Sequence, residues 1–211
     1  TLMPSKPGYS FNPVLRTCPN VTSDQPNQDF TGTLAAYTVS GFVKTAAGAA
    51  ISTVVISGLP AATTTDTTGY YSCMVSYGWS GTVTPSKAGY SFSPVSRTYS
   101  NVTSSQPSQN FTGTLGTYVI SGFVKTPAGV TISGVVMSGL PAATSTDTSG
   151  YYSCIVSYGW SGTVTPSKGG YGFSPSYISY SNVSIAQGNQ NYTASGQTFV
   201  VSGYVKTVAG A

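Results

Sequence analysis

Few side chains in this 211-residue sequence could act as acids, bases or metal ligands. Asp24, Asp29, Asp66 and Asp147 are its only carboxylates, it has no His and no Glu, and its three Cys stand at positions 18, 73 and 154. Catalysis near neutral pH draws on His or on carboxylates close enough to push each other's pKa values apart, and four scattered Asp form no such pair. The reading is therefore non-enzymatic, with no catalytic residues, no cofactor and no metal. Asp66 and Asp147 each open an Asp-x-x-Gly turn. One carboxylate is far short of the roughly six to eight oxygens that calcium takes, so both are read as turn residues bonding their own backbone. The Cys are too few and too far apart for a disulfide framework or a zinc site. Cys73 and Cys154 are read as buried free thiols, and Cys18, aligned with Tyr99 and Tyr180, as an isolated substitution.

Modification and binding are the remaining chemistry. Asn-x-Ser/Thr triplets at Asn20, Asn101, Asn110, Asn182 and Asn191 are candidate N-glycosylation acceptors. With 63 Ser and Thr in the chain, its eight Asn would meet such a triplet about two or three times by chance. Thr63, Thr64, Thr65, Thr67 and Thr68, with Thr144, Ser145, Thr146 and Thr148, form Thr-rich loops whose hydroxyls are candidate O-glycosylation sites. Trp79 and Trp160, with Tyr77 and Tyr158, could stack on sugar or pack between consecutive domains, and both readings stand at this stage.

The elements that must position these residues are strands. Charged residues are only 6% of the chain, while Thr, Val, Tyr and Phe are abundant, a composition that suits pleated backbone and starves helix surfaces. Hydrophobic residues at 39% and a net charge of only +4 argue against disorder. The Lys and Arg form no cluster, which excludes the electrostatic footprint of a nucleic-acid partner. No apolar run reaches the length of a membrane span.

An internal repeat sets the architecture. Residues 37–117 recur at 118–198 without insertion or deletion, a period of 81 with 55 identical positions. The same register extends outward, so that Pro4–Phe11 matches Pro85–Phe92 and Val201–Thr207 matches the start at Val39. The expected organisation is the C-terminal part of a repeat at 1–36, complete repeats at 37–117 and 118–198, and the first strand of a further repeat at 199–211. A window on a longer array is the simplest account of these ends. Within a copy, alternation marks strands at 37–44, 53–57 and 70–76, with further strands from Gly81, around 97–102 and around 109–114, separated by Gly, Pro and Asp turns. This spacing predicts an all-β fold of tandem seven-stranded sandwiches.

The run Val39-Ser40-Gly41-Phe42-Val43, then Ile51-Ser52-Thr53-Val54-Val55, Thr65-Asp66-Thr67-Thr68-Gly69-Tyr70-Tyr71 and Gly89-Tyr90-Ser91-Phe92-Ser93-Pro94 resembles the carboxypeptidase-regulatory-like domains. These are transthyretin-like, Ig-like β-sandwiches found in tandem on bacterial surface and secreted proteins. Cys73, Cys154 and the Tyr-Gly-Trp-Ser-Gly segments at 77–81 and 158–162 depart from that pattern. The resemblance implies no catalytic residues. It raises a Lys–Asn crosslink of the kind some tandem surface sandwiches carry, with Lys44 and Asn110 or Asn101, but alternation turns Lys44 toward solvent. The expected role is a non-enzymatic extracellular structural protein, a stalk or fibre at the cell surface, bearing glycans. Its partners would be copies of itself or neighbouring repeats. The alternative is a carbohydrate-binding or adhesive accessory module of a larger secreted protein.

Overall fold

The structure is a computed structural model that describes residues 1–205. It is all-β and divides into two compact units, Thr1–Leu115 and Gly116–Ala211.

In the first unit, β1 (Tyr9–Asn12) and β2 (Thr31–Leu34) form a two-stranded antiparallel sheet. A sandwich follows. One sheet has the order β6 (Tyr70–Ser76), β3 (Ala36–Lys44), β10 (Phe111–Leu115), β8 (Tyr90–Ser93), with β3 and β10 parallel and the other pairs antiparallel. The other has the order β5 (Thr63–Thr64), β4 (Val55–Ser57), β7 (Trp79–Ser86), β9 (Arg97–Val102). Alternation decides which residues face inward. In β6, Tyr71, Cys73 and Val75 are buried while Ser72, Met74 and Ser76 are exposed. Val39, Val43, Val54, Val83 and Phe111 complete this core.

The second unit repeats the plan. β13 (Tyr151–Ser157), β11 (Thr117–Lys125), β17 (Tyr192–Gly196) and β15 (Tyr171–Ser174) form one sheet, and β12 (Val136–Ser138), β14 (Trp160–Ser167) and β16 (Ile178–Val183) the other. The counterpart of β5 is a single bridge between Val136 and Ser145, which leaves seven strands here and eight in the first sandwich. A separate core of Ile120, Val124, Val135, Met137, Tyr152 and Val164 is closed within this unit.

Two local differences from the sequence reading have physical causes. β4 starts at Val55 rather than Thr53, because Thr53 adopts φ 55° and breaks the extended run. A β-branched residue is costly in that left-handed region; the second copy has Gly134 there, at φ 66°. Thr53→Gly should therefore stabilise the first sandwich by up to about 1 kcal/mol, the left-handed cost less the entropy that Gly adds to the unfolded chain. A lower urea midpoint for the variant would contradict this. The second difference concerns residues 199–205, read as an opening strand, which pair with nothing among the described residues and are exposed. In the complete copies this strand is held by β6 or β13. Residues 206–211 of the same reading fall outside the described residues.

Candidate functional site

Asp66 is held by its own turn. Its Oδ1 accepts from the Thr68 amide at 2.8 Å, the Thr68 hydroxyl at 2.7 Å and the Tyr70 amide at 2.9 Å. The Thr68 hydroxyl bond, then the Tyr70 amide bond, lower the carboxyl pKa. Asp147 repeats this with Ser149 and Tyr151. Among the described residues, no three His, Cys, Asp or Glu gather where they could hold a metal. No helix among them is long and apolar enough to cross a membrane. Cys18, Cys73 and Cys154 are free, with Cys73 and Cys154 buried on the inner faces of β6 and β13.

The aromatic candidates separate. Trp79 and Trp160 are half-buried and pack against the cores of their own sandwiches. The Trp79 ring lies 5.6 Å from Tyr99 and spreads across Gly81, where a Cβ would fall 2.5 Å from the indole. Trp160 does the same with Tyr180 and Gly162. Gly81 is the clearance for the Trp79 ring, and Gly162 for that of Trp160.

Tyr77 reaches the preceding partial repeat. A Cβ on Gly8 would stand 2.3 Å from its Cγ, so the ring lies flat against the Gly8 backbone, which sits at φ 76°. Tyr37 packs on the same ring at 6.5 Å between centroids. Only Ala35 separates β2 from β3, and it is bonded on both sides: its N–H donates to the Gly8 carbonyl at 2.7 Å and its carbonyl accepts from Tyr77 N–H at 2.8 Å. The connector is thus part of both ladders. Within the second unit Tyr158 N–H likewise donates to the Gly116 carbonyl at 2.8 Å, and Gln197 N–H to the Gly170 carbonyl at 2.9 Å.

The five acceptor Asn are exposed, and each has a structural use. Asn20, Asn101 and Asn182 adopt left-handed φ of 48°, 50° and 50°, where Asn is favoured. Asn110 and Asn191 supply Oδ1 to the amides of Phe42 and Phe123, each at 2.8 Å, as substitute ladder acceptors. Lys44 is exposed, its ammonium 4.6 Å from the Phe42 ring. In the Thr-rich segments, Thr64, Thr67, Thr68, Ser145 and Thr148 are exposed, while Thr63 and Thr144 are half-buried. Thr65 and Thr146 are a correction: both are 4% exposed. The Thr65 hydroxyl accepts from the Val54 amide at 2.9 Å and donates to the Ile51 carbonyl at 2.8 Å, with Thr146 equivalent, so neither can carry sugar in the fold.

One feature had no sequence signal. Every Lys and Arg among residues 1–205 lies over an aromatic ring, from Lys6 on Tyr9 at 4.5 Å to Lys168 on Tyr171 at 5.9 Å. Arg97 covers Phe111, and where the second copy replaces that ring with Tyr192, whose hydroxyl donates to the Val164 carbonyl at 2.9 Å, Ile178 takes the place of the Arg.

No protein-family model matches the chain. Over 149 residues, 65% of this chain, it is 35% identical to chitinase ChiA of Flavobacterium johnsoniae. The match spans only 9% of that protein's length. Among solved structures, the Bacillus anthracis TIE protein gives a TM-score of 0.64 at 10% identity, covering 80% of this chain and 37% of that one, which shows the all-β fold alone. A streptococcal ancillary pilin covers 74% of this chain and 62% of its own at 9% identity, with a TM-score of 0.38 that is too low to argue from. The carboxypeptidase-regulatory-like resemblance therefore rests on its motifs.

Proposed function

We propose that the chain is a stretch of a bacterial extracellular array of β-sandwiches with a structural, non-enzymatic role. The observation that supports this best is the connector at Ala35, which is hydrogen-bonded into the strands on both of its sides and covered by Tyr77 lying on Gly8. A one-residue connector held this way has no freedom to act as a flexible linker. The residues recur in sequence, with Gly89 and Gly170 equivalent to Gly8, and Tyr158 to Tyr77. Repeats that each close their own core add length without a new folding problem. The exposed hydroxyls at Thr64, Thr67, Thr68, Ser145 and Thr148, with the five Asn, are the proposed places for glycan on a surface poor in charge. Electron microscopy of the secreted protein should show extended particles, and compact ones would contradict the array.

A second reading is favoured by the ChiA likeness: a carbohydrate-contacting accessory stretch of a larger secreted protein acting on chitin. Binding to chitin beads that is lost when Trp79 and Trp160 are replaced by Ala, with circular dichroism showing the fold kept, would favour it. Absence of retention on chitin would favour the structural role.

A further inference from the structure

The edges of the first sandwich are not protected alike. β8 is four residues long and is followed at once by Pro94, β5 has only two residues, and β9 carries Arg97 and holds Asn101 at φ 50°. Short length, Pro, charge and local twist are the devices that blunt a strand edge. β6 has none of them. It is seven residues, Tyr70-Tyr71-Ser72-Cys73-Met74-Val75-Ser76, with no Gly, Pro, charge or left-handed residue. It is the outer strand of its sheet and is paired only with β3. β13 has the same place and the same features in the second sandwich.

The free side of β6 can be assigned atom by atom. Tyr77 bonds Ala35, so the residues of β6 that exchange hydrogen bonds with β3 are Tyr71, Cys73 and Val75. The N–H and C=O of Ser72, Met74 and Ser76 therefore point outward. Those of Tyr70 are already taken by Asp66. Beside these groups stands an apolar side chain that the sandwich leaves in water, Met74 at 66% exposure and Ile155 at 65% in β13.

We propose that β6 pairs antiparallel with β6 of a second copy of this chain, with Met74 opposite Met74, and that β13 does the same about Ile155. This register sets Ser72 against Ser76 and uses every outward backbone group. It is two-fold symmetric, so the strand is its own complement and the contact is isologous. No charge opposes another across it, and the edge offers no charged group by which a different partner would be selected. The exposed Met74 of each copy covers its counterpart in the β6 pair, and Ile155 does the same in the β13 pair. The contact is lateral and does not depend on the joint at Ala35.

The test is sedimentation velocity on the whole chain over a range of concentrations. Two variants are compared, one with Met74→Lys and Ile155→Lys, the other with Met74→Asp and Ile155→Asp. Both positions are on the solvent face, and circular dichroism checks that the fold is kept. The expected result is that the unaltered chain forms assemblies larger than a monomer, and that each variant alone is monomeric because like charges face each other in the pair. An equal mixture of the two variants associates again. A monomeric unaltered chain, a Lys variant that associates like the unaltered chain, or a mixture that stays monomeric would each overturn the proposal.

Discussion

Thr65→Val should destabilise the first sandwich by about 2–4 kcal/mol, although Val has nearly the same shape. The Thr65 hydroxyl is the partner of two buried backbone groups at once, the Val54 amide and the Ile51 carbonyl. Its removal leaves both without a partner, at a cost of about 1–3 kcal/mol each. Val buries slightly more apolar surface and recovers part of that. Thr146→Val should act equally on the second sandwich, through the Val135 amide and the Ile132 carbonyl. Each sandwich has its own core, so each substitution should shift one unfolding transition in a urea titration. A change below about 0.5 kcal/mol, the ordinary range of surface substitutions, would show that these hydroxyls are not structural.

The second large effect is expected at alkaline pH. Tyr71, Tyr99, Tyr152, Tyr180 and Tyr192 all hold their phenolic protons more tightly in the fold, and in each case burial, which disfavours the phenolate, is the main cause. Tyr180 is pushed up to about 12. An unfolded Tyr ionises near pH 10. The stabilisation is therefore fully present below that pH and is lost as pH rises toward and past the folded values, because the unfolded chain releases protons that the folded chain retains. Urea midpoints should fall steeply from about pH 10 upward, with tyrosinate absorbance appearing together with unfolding. A midpoint that stays level through about pH 11 would contradict this. At the acid end, Asp66 and Asp147 have lowered pKa values, so their contribution is present above the ordinary carboxylate pKa and is lost as pH falls through the folded one.

The strands with an uninterrupted period of two, 37–44 and 70–76, were legible because the inward face of each carries no Ser, Thr or charge, while the outward face holds Thr38, Ser40 and Lys44 or Ser72 and Ser76. The Thr-rich segments were not. A run of Thr has no contrast between its faces, so sequence cannot say that Thr65 turns inward while Thr64 and Thr67 stay in water; pairing with β4 decides it. Tyr77 could be flagged as an aromatic beside Gly, but its seat on Gly8 depends on a contact between residues far apart in the chain. Trp79 gave the same local signal, and its ring lies on Tyr99 and Gly81 of its own sandwich. The free edge of β6 was hidden for another reason: alternation fixes faces, while the order of strands in a sheet is set by the whole topology.

A structural array of these repeats needs a stiff connector at Ala35. Spin labels at Val14→Cys and Ser57→Cys, in a Cys18→Ser background with Cys73 and Cys154 buried, would report the distance across it by double electron–electron resonance. One narrow distance distribution is expected for the otherwise unaltered chain, broadening when Tyr77→Ala removes the ring from Gly8. A distribution already broad before that substitution would mean that the partial repeat swings on its neighbour, and the rigid-array account would fail.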